Sequence, residues 1–426
     1  MDSLPTTSAS SHARRFNRWC YALALVAIVA FNTWRATRPN FTDDFAQYYN
    51  AGVIARAGAW ADLYPIPHPT SPHNPGATPD SAVTPEYRRV VGQQGRPDGA
   101  RVIQPPPNAL WCVPLTYFPF DTAYVVWCAV MALCVWAAAM SAARVYALVA
   151  GRESRVAGVL VLILCTSPLA YRAVRCGIMT PAIAWTLGLA VTGALGATRR
   201  SALTGGVGLA LGFVAKYAGA VLAPVYLLRR EWAALAWAAG LTIAAVLITL
   251  LVAGPGPFET FARTIAPTLV RSHPYHSNQA IQAFLWRVGG PGTQVGTPAL
   301  IFSIARIAIG LAILYLCWRQ RRAIRASAAT ACAAMTALLT WTLLFSPVCW
   351  DHYAVYLFPL AGWFVYEASR SRGVLITLLA AAALTWFPYT GFAAPSPPVL
   401  IGCHVMYGLL LVWSVSLYRL ARPSPV

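Results

Sequence analysis

Acidic side chains are scarce in this chain, 13 among 426 residues, so where they stand is informative. Asp43 and Asp44 sit side by side in FTDDFAQYYNAG, just after the first membrane-length apolar run. A carboxylate beside a membrane can act as a general base once burial raises its proton affinity, or can hold a cation or a sugar hydroxyl. An aspartate ahead of FAQYYNAG is equally suited to capping a helix. Lys216 is the only lysine, leaving 31 of the 32 basic residues as arginine. It lies amid glycines, where an ammonium at membrane depth faces a cavity and binds a phosphate, or snorkels to an interface. Arg306, inside an apolar run, is a second phosphate candidate, with Glu259 or Asp351 as structural partners instead. Asp351 and His352 follow Trp350 in SPVCWDHY and make a third polar cluster. A histidine in such a place is either functional or a hydrogen-bonded structural residue.

Other chemistries lack their motifs. There is no P-loop, no HExxH, no GxSxG and no soluble nucleotide-binding glycine loop. A transferase built this way would take its donor from a lipid carrier on the outer side rather than from a cytosolic nucleotide sugar, and would need no cofactor. The ten cysteines show no CxxC or metal-ligand spacing; Cys128, Cys134, Cys165 and Cys332 lie inside apolar runs, where a thiol behaves as a small hydrophobe. No metal site is expected.

These residues must be positioned by membrane helices. Hydrophobic residues make up 58% of the chain and charged residues 11%, against about 25% charged in a soluble domain. Residues 1–426 read as a single integral membrane domain, an all-α polytopic protein with spans near 19–37, 120–146, 155–174, 178–198, 231–254, 298–318, 326–345, 353–369, 374–388 and 398–418. The N-terminal apolar run follows Arg14, Arg15 and Arg18 without a small-x-small cleavage site, and so reads as an uncleaved first helix. The net charge of +19 comes from arginines in short clusters between apolar runs, which marks cytoplasmic loops rather than a nucleic-acid surface. On this pattern Arg144/Arg152/Arg155, Arg199/Arg200, Arg229/Arg230, Arg319/Arg321/Arg322/Arg325, Arg370/Arg372 and Arg419/Arg422 share the inner side.

Parity then demands something unusual of residues 202–228. Arginine pairs flank this segment of 27 residues on the same side, whereas two full spans need about 40. A broken or re-entrant helix pair resolves the conflict, and Gly205, Gly206, Gly208, Gly212, Gly219 and Pro224 suit a break. The alternative is that one arginine pair violates the bias. Three stretches face outward: 38–119, with a short interfacial helix over 48–58 and a surface-lying segment at 105–119; 255–297; and the turn 346–353.

Five stretches resemble a known family. DFAQYYNAGVIARAGAWADLYP (44–65), IQPPPNALWCVPLTYFP (103–119), GFVAKYAGAVLAPVYLL (212–228), SNQAIQAFLWR (277–287) and SPVCWDHY (346–353) are similar to motifs of glycosyltransferase family 87, polyprenol-phosphate-mannose-dependent α-1,2-mannosyltransferase-like members of the GT-C superfamily. The resemblance implies a GT-C-like bundle of about 10–12 transmembrane helices. It would sit in a bacterial inner membrane, with its site outside and both termini in the cytoplasm. It implies a sugar donor on polyprenyl phosphate and a lipid or glycan acceptor, with membrane lipids around the protein and no nucleic acid. Asp44 would be the catalytic base of an inverting displacement. Asp43 and Tyr48 would adjoin it. Lys216, Arg306 or His352 would balance the leaving phosphate, and Asp351, Asn278 and Gln279 would line the site. The chain departs from the family pattern at Ile178, Ala280 and Tyr353, where Gln, Ser and His are usual. Two other readings use the same residues: a flippase or transporter with a Lys216–aspartate pair on a broken helix, and a non-catalytic assembly protein of an envelope-glycan pathway.

Overall fold

A backbone in lipid must satisfy its own hydrogen bonds, which leaves helices as the economical solution for apolar runs of this length. The computed structural model describes residues 8–37, 43–64, 84–92, 94–95, 102–270, 272, 274–275, 277–386 and 399–422. Among these the chain is helical, with one isolated bridge, Asn278 to Trp350, as its only β pairing. It is an all-α polytopic membrane protein.

The chain runs through α1 (Ser8–Ala36), α2 (Asp43–Arg56), α3 (Pro85–Gly92), α4 (Pro107–Cys112) and α5 (Phe120–Ala150). Next come α6 (Arg155–Thr166), α7 (Pro168–Arg175), α8 (Thr180–Leu195), α9 (Arg199–Lys216), α10 (Ala223–Arg229) and α11 (Trp232–Ala253). The short α12 (Gly256–Thr260), α13 (Ala266–Leu269) and α14 (Ile281–Gly289) lead to α15 (Gly296–Arg319), α16 (Arg321–Ala326) and α17 (Ala328–Phe345). A 3-10 segment, Asp351–Leu360, precedes α18 (Ala361–Arg370), α19 (Arg372–Trp386), α20 (Val399–Gly402) and α21 (His404–Ala421).

Among the described residues six helices are long and apolar enough to cross a membrane: α1, α5, α11, α15, α17 and α21. The pair α6–α7, bent by 47°, passes the same test only when its two helices are taken together. The bend falls at Ser167–Pro168, where the proline lacks an N–H for the helical ladder and the Ser167 hydroxyl caps α7 through Ala170 N. The other expected spans take different forms. Helices α8 and α19 have only 16 and 15 residues. Residues 351–370 begin as a 3-10 helix, which rises about 2.0 Å per residue against about 1.5 Å for an α-helix and so covers more depth with fewer residues.

The parity conflict is resolved by a hairpin. Helix α9 ends where Tyr217 adopts a left-handed conformation (φ 59°), and a 3-10 turn, Ala218–Leu222, leads into α10. The return leg lies against α9: a Cβ on Gly219 would sit 2.1 Å from the Leu209 carbonyl oxygen, and one on Gly205 would sit 2.4 Å from the Tyr226 hydroxyl. Tyr226 in turn donates to the Ala190 carbonyl of α8. The other glycines serve contact rather than the break, since Gly206 faces α11 at Ala234 and Trp237, and Gly208 faces α8 at Thr186 and Ala190. A bulkier residue would hold these helices apart.

The arginine clusters gather at one end of the bundle. Asn17 of α1 donates to Ser154 O and accepts from Gly158 N, which ties the Arg14–Arg18 end of α1 to the start of α6. Arg229 donates to Ile324 O (2.7 Å) and Arg325 to Leu228 O. Glu367 binds Arg419 at 2.8 Å, fastening α18 to α21 near the same end. In the other direction, burial separates the core from the lipid-facing shell. The apolar window of α17 is 78% buried, whereas that of α11, the more apolar helix, is 6% buried. The apolar surface of α11 is therefore satisfied by lipid and not by protein.

Candidate active site

Opposite the arginine end, the three stretches expected to face outward converge. Backbone bonds join Gln279 N to Cys349 O (2.6 Å) and Asp351 N to Ser277 O (3.0 Å), so the second stretch is sewn to the 346–353 turn. Asn108 donates to Ala215 O (3.0 Å), holding the surface segment of α4 against the hairpin apex.

Asp43 and Asp44 open α2, where carboxylates complement the helix dipole. The Asp43 side chain lies outside the described residues. Phe45 fixes this end of α2: it is fully buried, with ring centroids 5.2 Å from Phe120, 5.4 Å from Tyr124 and 5.7 Å from Trp127. Gly177, at φ +69°, lets the chain pass beside Phe45, where a Cβ would approach to 3.1 Å. The other end is pinned to the 105–119 segment by Tyr49 to Phe118 O (2.7 Å) and Arg56 to Thr116 O (2.5 Å). The expected interfacial helix is thus enclosed by protein on nearly all sides, and it holds Asp44 half-buried at its mouth. Gln47 donates to Asp44 Oδ1 (3.5 Å), and Gln104 donates to Gln47, so two buried amides back the carboxylate.

Lys216 caps the outward leg of the hairpin. Its side chain is exposed, while its ammonium donates to the hydroxyl of buried Tyr353 and lies 4.5 Å from that ring's centroid. The Asp44 charge acts on Lys216, Tyr48 and Tyr353, which places the four in one electrostatic neighbourhood. Tyr48 stacks on Trp127 at 5.2 Å, and its hydroxyl accepts from Met179 N (3.2 Å). Burial raises the Tyr48 phenol well above its ordinary value, so it stays neutral.

Beside this group His352 Nδ1 lies 3.2 Å from Asp351 Oδ1, and Arg172 of α7 binds the other Asp351 oxygen. Cys176 Sγ is 3.6 Å from the same His352 nitrogen. His352 is 6% exposed, and its Nε2 has no partner among the described residues.

Two sets of expected residues lie differently. Asn278 and Gln279 are buried and bind backbone: Asn278 Oδ1 accepts from Ala280 N and Cys349 N, and Gln279 bridges Gly402 O and Met406 N. They brace the turn that carries Asp351 and His352. Arg306 lines a separate apolar cleft of about 540 Å³ between α15 and α17, with Gly310, Leu314, Trp341 and Phe345. Asp351, its suggested partner, is taken by Arg172.

Arg172 is the main residue that motif reading passed over. Its signal was available, because Arg172 and Arg175 stand at the end of the bundle opposite the arginine clusters, against the usual bias. Gln47 and Gln104 carried none, since a glutamine orienting a carboxylate has no fixed spacing. Among the described residues no three His, Cys, Asp or Glu side chains converge as metal ligands would.

Residues 103–347 match the family model of glycosyltransferase family 87. The match takes in Arg172, Lys216, Asn278, Gln279 and Arg306, while Asp44 and His352 lie on either side of it. The chain is also 29% identical, over 202 residues, to a polyprenol-phosphate-mannose-dependent alpha-(1-2)-phosphatidylinositol mannoside mannosyltransferase of Mycolicibacterium smegmatis. That alignment covers 45% of this chain and 44% of the relative, so the chain spans less than half the length of the curated relative it matches. With more than half of its residues inside the family model, the chain belongs to glycosyltransferase family 87.

Proposed function

We propose that this protein moves a sugar, mannose, from polyprenyl phosphate to a hydroxyl of a lipid or glycan acceptor at the outer face of a bacterial plasma membrane. Asp44 takes the proton of the acceptor hydroxyl as that oxygen attacks the anomeric carbon. The bond from that carbon to the phosphate oxygen breaks, and its electron pair leaves with the polyprenyl phosphate. Attack from the face opposite the leaving group inverts the configuration. Asp44 then returns its proton to water. Lys216, exposed yet held at Tyr353, and His352 stand where charge grows on the departing phosphate, and fixed charge of this kind is the usual source of such stabilisation. Asp43 adjoins the base in sequence. Arg306 stands apart and is left out of the phosphate site.

The observation that carries this reading is the meeting of Asp44, Lys216 and Tyr353, brought from three distant stretches to one end of the bundle. The sugar and the carrier are those named in the activity of the Mycolicibacterium smegmatis relative. The arginine-rich end, where α1 begins and α21 ends, would face the cytoplasm.

The test is transfer of labelled mannose from polyprenyl phosphate in membranes holding wild type, Asp44→Asn or Asp43→Asn at equal expression. Wild-type transfer that survives Asp43→Asn and falls roughly 100-fold or more in Asp44→Asn fits removal of a general base. Full activity in Asp44→Asn would sink the assignment of the base, and no wild-type transfer would sink the reaction.

A further inference from the structure

A buried carboxylate shared between a guanidinium and an imidazole is an expensive arrangement, and Asp351 is one: it is 8% exposed and touches both Arg172 and His352. Removing one member of such a set leaves an uncompensated charge, so the arrangement persists only where the whole set is held. Its geometry has a direction. One Asp351 oxygen is held by the Arg172 guanidinium on α7, and the other faces His352 Nδ1 from the adjacent position in the chain. An Nδ1–H committed to a carboxylate fixes both the tautomer and the plane of an imidazole. The opposite nitrogen, Nε2, is buried and without a partner among the described residues, on a ring that stands edge-on to Tyr353, the residue that holds Lys216. A buried polar atom with no partner calls for one from outside the protein.

We infer that Arg172 is a positioning residue: acting through Asp351, it locks His352 with Nδ1 engaged inward and Nε2 reserved for the polar end of the substrate. This rests on the reading of the site as a glycosyltransferase centre. Arg172 itself need touch no substrate. Its guanidinium suits the task because a planar fork fixes a carboxylate's orientation, which a lysine ammonium does not. Asn278 and Gln279 complete the frame by bracing the turn from behind.

Two measurements on the full-length protein in detergent test this. The first needs no turnover: nitrogen-15 histidine spectra, with the His352 signal identified by its loss in His352→Gln. Wild type should show the Nδ1–H form, and Arg172→Gln a mixture of forms. An unchanged His352 signal in Arg172→Gln would overturn the inference. The second is a double-mutant cycle on mannose transfer from polyprenyl phosphate mannose. Arg172→Gln should cut kcat/KM by about 10-fold or more in wild type, and by less than about 2-fold in His352→Gln, since residues acting as one unit do not add. Equal losses in both backgrounds would mean that Arg172 acts on its own and would also overturn the inference. Arg172→Lys carries both arms if Arg172→Gln fails to give a monodisperse protein, with an intermediate loss expected. No transfer by wild type, with the spectral link between Arg172 and His352 intact, removes the functional reading and leaves the positioning role standing.

Discussion

At the arginine-rich end, Arg14 and Glu153 approach to 3.9 Å with 55% and 52% of their side chains exposed, whereas at the opposite end Arg172 and Asp351 meet with 21% and 11% exposed. The first pair belongs to a crowd of arginines, any of which serves as well for orientation in the membrane. The second belongs to a small set of ionisable residues with defined partners: Arg172 on Asp351, Asp351 on His352, and nearby the one lysine on Tyr353. Exposed pairs contribute about 0–1 kcal/mol, while a buried pair is costly to break and keeps its geometry. The charges at one end are many and exposed, and those at the other are few, buried and paired. One strap at the arginine end departs from this pattern: Glu367, with 3% of its side chain exposed, holds Arg419.

This contrast can be broken by substitution, beginning with the largest effect. Asp44→Asn should lower transfer by roughly 100-fold or more without changing the melting temperature in detergent, because a general base is lost and no packing is. Glu367→Ala should do the reverse, costing about 3 kcal/mol of stability while activity per folded molecule stays within about 2-fold. A fall in both for Glu367→Ala would show that the two ends are coupled. Lys216→Met should reduce kcat by on the order of 10- to 100-fold, as removal of one charge-stabilising donor does. Tyr353→Phe, which keeps the ring under the ammonium, should cost less than Lys216→Met, and the opposite order would move the phosphate role to the tyrosine. Gly219→Ala should destabilise by roughly 2 kcal/mol, read in thermal unfolding, since its new methyl meets the Leu209 carbonyl. Arg14→Gln should change stability by less than about 0.5 kcal/mol and leave transfer unaffected.

Much of the helical framework was legible because hydropathy is local. The runs that became α5, α11, α15, α17 and α21 announce themselves by length alone. The hairpin was one of two outcomes that arithmetic allowed, since arginine pairs flank too short a segment for two spans unless one pair violates the bias. Its turning point was not legible. Tyr217 takes the left-handed conformation while the glycines lie at helix contacts, because close approach between helices is set by partners distant in sequence. The 3-10 winding of 351–360, inside a stretch that reads as an ordinary span, was not legible either, since hydropathy gives apolar length and not the pitch of the helix.

For the site, residue type was enough to single out Asp44, Lys216, Asp351 and His352, because an ionisable group is rare and costly in so apolar a chain. Family resemblance was readable in one dimension. What belongs with what was not. That Asp351 answers to Arg172 rather than Arg306, that Asn278 and Gln279 brace a turn instead of standing open, and that Lys216 rests on Tyr353 are facts of three-dimensional distance. Hydropathy acts through composition, so the order of residues was enough to specify a lipid solvent and hence a helical architecture. The pairing of charges emerged in the folded chain alone, because Coulomb and hydrogen-bond energies depend on a few ångströms that no spacing along the chain encodes.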